Sequence, residues 1–276
     1  MAVAMASPGS SSRAAPVVIK LGGEVVGDAR LAVIAADVKA LVEGGAAVVL
    51  VHGGGPQVTA LSRRLGIEPR IVGGRRVTDA ATLQAVKMAI AGEVNMELCA
   101  ALRAAGLRPV GLHGVIAAVK RPPRVVSGGG PDPIDLGFVG DVTGFDLPLV
   151  ELLLGGGATP VVACLGSGPR GEVLNINADI VGNQLAMALG ADPLVLVTSA
   201  PGVLRDIADP ASRMPSLTAA EARAAIANGT VKGGMIPKLE ESFAALAGGV
   251  KRIVICDGEV ARAVRDPGAV GTTLLP

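Results

Sequence analysis

The chain has 276 residues, half of them hydrophobic, with three Phe and no Tyr or Trp, and its 25 basic and 24 acidic residues leave a net charge of +1. That length allows one large domain or two modest lobes around an aliphatic core. The even charge balance and the lack of stacking rings argue against nucleic acid as a partner, and 39 glycines without a three-residue period exclude collagen.

In chain order, residues 1–15 are small and polar and read as a flexible arm. They hold no apolar stretch of the kind that opens a secretory signal, so a cytoplasmic location is expected. Residues 16–21 (PVVIKL) read as a buried strand ending at Gly22-Gly23. Residues 31–43 carry helical spacing and stop at Gly44-Gly45. A second buried strand at 46–52 runs into Gly53-Gly54-Gly55-Pro56, and a helix follows from residue 57. Strand, helix, strand and helix at these lengths indicate an α/β unit with a parallel sheet. A long helix is expected over 80–104, with Gly92 as an interruption, and a short strand over 107–112. Residues 115–145 break the rhythm and read as hairpins or an elaborated loop, with a strong turn at 127–133 (SGGGPDP). VVACLG at 161–166 reads as one buried strand. The apolar run at 149–165 is broken by Glu151, Gly155-Gly156-Gly157 and Pro160, so a membrane span is not expected. The second half repeats the grammar: a helix over 178–190, a strand over 193–200, a Thr218–Glu221 capping box, a helix over 237–248, a strand over 251–258 and an edge strand at the end.

Some residues resist a purely structural reading. Gly22-Gly23 and Gly53-Gly54-Gly55 follow strands at their C-terminal ends, where open parallel sheets bind ligands, although tight turns alone also use glycine. Neither cluster matches the common nucleotide-loop patterns. Lys20 sits in an apolar strand, which calls for an anionic partner or an escape to solvent. Lys238 stands near a helix start, where only a nearby anion makes a positive charge comfortable. In Asn175-Ile176-Asn177-Ala178-Asp179 the two asparagines share a face if extended; Asn177 or Asp179 caps the next helix, or Asp179 pairs with a lysine. Arg75 and Arg76 precede Val77-Thr78-Asp79 and either grip a carboxylate or face solvent. Cys99, Cys164, Cys256, His52 and His113 show no metal-ligand spacing, so no protein-held metal is expected and the thiols read as buried apolar groups.

VIKLGG (18–23), VHGGGPQV (51–58), GRRVTDA (74–80), NINAD (175–179), PGV (201–203) and GGMIPKLE (233–240), in this order, resemble the amino acid kinase family, most closely its branch acting on N-acetyl-L-glutamate. The resemblance implies a three-layer αβα sandwich around an open, mainly parallel sheet. It implies an N-terminal lobe (16–174) for the acyl amino acid and a C-terminal lobe (175–276) for ATP with Mg2+. It assigns Lys20 and Lys238 to the transferring phosphoryl group and Asp179 to aligning them. Gly22 and Gly23 would face phosphoryl oxygens; Gly54, Gly55, Arg76, Asn175 and Asn177 would hold the substrate. Thr198, Ser199, Gly202, Val203, Gly234 and Met235 would form the ATP region. It further implies a homodimer in arginine biosynthesis, with phosphorylation of the substrate's side-chain carboxylate. Three positions depart from the pattern: Ser199 replaces an expected aspartate, His113 lies in an unusual middle segment, and Glu24 follows the first glycine pair. Two alternatives fit the same motifs. One is a kinase for carrier-linked aminoadipate or glutamate, with a basic rim from Arg63, Arg64, Arg70, Arg75, Lys120, Arg121 and Arg124. The other is a catalytically weak ligand-binding homologue.

Overall fold

The computed structural model describes residues 14–126 and 130–276; residues 1–13 of the expected arm and 127–129 of the expected turn lie outside them. Val17–Leu21 (β1) is buried at all five positions, as an inner parallel strand covered on both faces must be. Arg30–Glu43 (α1) leads to Val48–His52 (β2), and Gly55–Arg64 (α2) follows the second glycine turn. Ile71–Val72 (β3) and Arg75–Arg76 (β4) form a small hairpin over Gly73 and Gly74, both at positive φ. The expected helix over 80–104 exists but is not uniform. Ala80–Val86 (α3) continues through a π-helical segment, Lys87–Val94, into Asn95–Ala104 (α4). The widened turns contain Gly92, the predicted interruption, and they wall the second glycine turn: a Cβ on Gly54 would lie 3.2 Å from both Ile90 and Val94.

Pro109–Leu112 (β5) is followed by the irregular region, which builds a small sheet. Ile116–Lys120 (β6) pairs antiparallel with Gly140–Phe145 (β7) through a bulge at Ala117/Ala118. Leu147–Gly155 (α5) then leads to Thr159–Ala163 (β8). The single strand expected over 161–166 is two strands. Beyond Cys164 the chain leaves the main sheet, and Leu165–Ser167 (β9) pairs with Val173–Asn175 (β10) in the small one. Gly166 permits this crossing, since a Cβ there would press on Ala118 and Ile176 at 2.7 Å.

Ala178–Leu189 (α6), Leu194–Val197 (β11), Ser216–Thr218 (β12), Ala219–Ala227 (α7), Met235–Ala247 (α8), Ile253–Cys256 (β13), Val260–Arg265 (α9) and Thr272–Leu275 (β14) complete the fold. The main sheet runs β12-β14-β13-β11-β1-β2-β8-β5, with only the β13–β14 pair antiparallel. The C-terminal strand is therefore interior, not an edge, because β12 covers its outer side. One face packs Ile19, Leu50 and Val195 against α1, α4 and α9; the other packs Val18, Val51 and Leu196 against α5, α6 and α8. The result is a three-layer αβα sandwich with a mainly parallel sheet. β1 pairs with β2 on one side and β11 on the other, so both halves of the chain share one sheet, and Lys20 lies at its middle. Cys164 and Cys256 are buried, and burial pushes both thiols up. Among the described residues, no helix is long and apolar enough to cross a membrane.

Candidate active site

The C-terminal ends of β1 and β2 open into a cleft of about 670 Å³. Lys20, the last-but-one residue of β1, shares its face of the sheet with Val18 and so points toward α6. Two features make room for it there. Gly182 of α6 leaves space beside the lysine stem, where a Cβ would lie 3.1 Å from Lys20 Cβ. Asp179, in the first turn of α6, meets the ammonium with Oδ1 at 2.8 Å from Lys20 Nζ. Its other oxygen, Oδ2, accepts from Lys238 Nζ at 2.9 Å, reaching in from α8. One carboxylate thus aligns two ammonium groups from opposite halves of the chain. Burial works to raise the Asp179 carboxyl, but the two lysines outweigh it and hold it at about 2. Burial also works against the charge on Lys20, yet Asp179 overrides it and raises the lysine above its ordinary value. The array carries a net positive charge at neutral pH, at a helix N-terminus that favours anions.

The glycine turns sit beside this array. Gly23 packs so closely on the second turn that a Cβ would lie 2.8 Å from Gly54 Cα. The Gly22 N–H is committed within the sheet, donating to the Val197 carbonyl at 3.1 Å. The Glu24 carboxylate folds against Gly22 and lines the same cleft.

On the far side, β4 turns Arg76 inward. Its Nη2 donates to the Gly55 carbonyl (3.0 Å) and to Thr59 Oγ1 (2.6 Å), while Nη1 is buried without a partner. A buried guanidinium nitrogen left unpaired is costly unless a ligand oxygen completes it. Asn175 Nδ2 donates to Thr78 Oγ1 (3.1 Å), which in turn donates to the Arg76 carbonyl (3.3 Å). Asn177 serves as the α6 cap, its Oδ1 accepting from the Asp179 and Ile180 N–H groups. Arg75 also lines the cleft and pairs with Glu241 of α8 at 3.5 Å.

The cleft brings together Lys20, Gly22, Gly23, Gly54, Gly55, Arg76, Asn175, Asn177 and Asp179, and Lys238 joins them through Asp179. Thr198, Ser199, Gly202, Val203, Gly234 and Met235 lie apart, at the C-terminal end of β11 and the N-terminal end of α8. Ser199 is exposed, Val203 is buried, and its N–H donates to Thr272 Oγ1 at 2.8 Å. His113 is exposed and does not line the cleft. Of the imagined basic rim, Arg121 is 3% exposed and its Nε and Nη2 both donate to Asp141 (2.8 and 2.6 Å), which removes it from any docking face. Thr59, Gly182 and Glu241 were missed by reading the sequence. Nothing local marks them, since each matters only through a partner more than fifteen residues away.

Residues 15–257 match the model described as the amino acid kinase family. The chain belongs to the amino acid kinase family. Within that family it is 60% identical over 269 residues to the acetylglutamate kinase of Sorangium cellulosum, covering 95% of each chain. It is 54% identical to the acetylglutamate kinase of Anaeromyxobacter dehalogenans, over 94% of this chain and 98% of that one. Among solved structures, smu.665 from Streptococcus mutans superposes with a TM-score of 0.78 at 28% identity, over 94% of this chain and 98% of that one.

Proposed function

We propose that this amino acid kinase transfers the γ-phosphoryl group of ATP to the side-chain carboxylate of N-acetyl-L-glutamate, giving the acyl phosphate and ADP. The observation that carries the reading is the pairing, in one cleft, of the Lys20–Asp179–Lys238 array with the unpaired Nη1 of Arg76. The relatives named acetylglutamate kinase support the choice of substrate. Such a reaction places it in arginine biosynthesis.

The acceptor carboxylate is already a deprotonated nucleophile near pH 7, so no general base is needed. Catalysis then rests on alignment and charge. Arg76 takes the substrate's α-carboxylate on Nη1, and Gly54, Gly55, Asn175 and Asn177 line the acyl amino-acid end. Lys20 and Lys238 meet the negative charge that spreads over the phosphoryl oxygens. Gly23 supplies the backbone contact that Gly22, held by Val197, does not. The C-terminal half holds the nucleotide between Thr198–Val203 and the Gly234–Met235 start of α8. Asp179 is committed to two lysines, and among the described residues no group of three or more His, Cys, Asp or Glu is placed to hold a metal. Mg2+ enters as part of the MgATP substrate, bound to its phosphate oxygens. The implied homodimer is tested by light scattering of the purified chain.

The deciding experiment measures ADP release with MgATP and each of N-acetylglutamate, glutamate, aspartate and N-acetylaminoadipate. Hydroxylamine present in the assay traps the acyl phosphate as a hydroxamate. Release and hydroxamate with N-acetylglutamate alone are expected. Equal turnover of glutamate, or none with any acceptor, would overturn the assignment.

A further inference from the structure

The Gln57 side chain does something the assigned roles leave unused. Gln57 is the third residue of α2, and it does not line the cleft. Its Nε2 spends both hydrogens on the first glycine turn, donating to the Gly23 carbonyl at 2.7 Å and the Val26 carbonyl at 3.0 Å. Its Oε1 is buried without a partner. That oxygen sits against the junction of the two turns, 3.0 Å from where a Cβ on Gly23 would lie. The same imagined Cβ would be 2.8 Å from Gly54 Cα, so the two backbones touch.

This balance of bonds identifies the purpose of the amide. An unpaired buried carbonyl oxygen is a cost that an apolar side chain of similar shape avoids. Packing alone is therefore better served by methionine. Only the two donated hydrogen bonds require an amide, and both cross from α2 to the loop after β1. Gly23 has no side chain with which to lock itself, and a glycine turn of this kind otherwise retains several backbone states.

We propose that Gln57 is a positioning residue, which clips the turn after β1 onto the turn after β2. It thereby sets the separation between Gly23, on the phosphoryl side, and Gly54-Gly55, on the acceptor side. This rests on the kinase reading for its catalytic consequence, but the clip itself is a property of the two turns. Gln57 acts through these backbones and not by touching either substrate. Its loss therefore impairs the in-line geometry of transfer more than the binding of either partner, which Arg76 and the C-terminal half retain. Displacements well under an ångström suffice for this, because rate depends steeply on alignment.

The test uses Gln57→Met, Gln57→Glu and the wild-type chain. Gln57→Met should lower kcat by about ten-fold or more while both KM values stay within about threefold. Amide hydrogen exchange should quicken in peptides spanning 22–27 and 53–56, with β1, β2 and β11 unchanged. Gln57→Glu places a carboxylate against two carbonyl oxygens, an arrangement that raises its pKa. Protonation restores one donor, so the ratio of its kcat to wild type should rise about fivefold or more between pH 8 and pH 6. This second variant decides the matter if Gln57→Met fails to fold. A kcat within twofold of wild type, unchanged exchange in the two turns, or a flat Gln57→Glu ratio would each overturn the proposal. Wild-type inactivity toward N-acetylglutamate would sink the functional reading alone, and the exchange comparison would still decide for or against the clip.

Discussion

Replacing Asp179 with Asn removes one negative charge from between two ammonium groups and keeps the side chain's size. With its carboxyl held at about 2 against an ordinary 3.8, Asp179 in the folded chain stabilises it by about 2 kcal/mol at neutral pH. The folded pKa is depressed, so this stabilisation is present above the unfolded value near 4 and is lost as pH falls through 2. At pH 3 roughly half of it remains. The substitution also strands Lys20 in a buried position without its ion-pair partner, and removing one partner of a buried pair costs about 3–5 kcal/mol. A loss of about 3 kcal/mol at pH 7 corresponds to a Tm lower by about 6–12 °C in a chain of this size. Calorimetry of both proteins at pH 7 and pH 3 reads the size and its pH dependence, and the gap should narrow at the lower pH. With the lysines no longer aligned, kcat should fall about 100-fold or more. A variant whose Tm matches wild type at pH 7, or whose deficit is as large at pH 3, would refute the view that Asp179 is an ionised bridge.

Three further outcomes follow from the geometry. Arg76→Lys keeps the charge but gives up the fork that holds Gly55, Thr59 and the ligand together. The KM for N-acetylglutamate should rise about ten-fold or more, with the KM for ATP nearly unchanged; equal rises in both would count against the clamp. Gly182→Ala gains up to about 1 kcal/mol of helix propensity but pushes its methyl to 3.1 Å from Lys20 Cβ. Stability should stay within about 1 kcal/mol of wild type while kcat drops about ten-fold, and undiminished turnover would show that the lysine stem has slack. His52 is driven down to about 4 by burial, and is held neutral with Nδ1 toward the Gly53 carbonyl and Nε2 accepting from Asn95. Its contribution is complete above the unfolded value near 6.5 and is lost as pH falls from there to 4, worth about 3 kcal/mol in all. An NMR titration placing His52 near 6.5 in the folded chain would contradict this.

Much of the fold was legible because its signals are local. The buried runs at 17–21 and 48–52, the glycines after them, and the Thr218–Glu221 box each declare themselves within a few residues. Lys20 was legible for an energetic reason: a lysine in an apolar strand needs an anion, and Asp179 is that anion. Elements set by distant partners were not legible. Nothing within VVACLG says that the chain changes sheets at Cys164; the pairing of Leu165–Ser167 with Val173–Asn175 decides it. The final strand reads as an edge until β12, more than fifty residues earlier, is seen to cover it. The β3–β4 hairpin was not read from the sequence, and Arg75 and Arg76 both line the cleft; which one holds Gly55 and Thr59 and which one holds Glu241 is set by partners distant in the chain.

The Arg75–Glu241 pair has a mechanical consequence. The two-residue strand β4 attaches the substrate side of the cleft, through Arg76, to the same segment that contacts α8 through Arg75 and Glu241. α8 also carries Lys238, one turn before Glu241, and Lys238 meets Asp179 on α6. α8 is therefore tied at two points about one helical turn apart, to β4 through Glu241 and to α6 through Lys238. Movement of α8 away from the sheet must loosen both together. On the roles proposed for Arg76 and the two lysines, this arrangement orders the acceptor end and the transfer end as a single unit, which is what in-line transfer between two separately bound substrates demands.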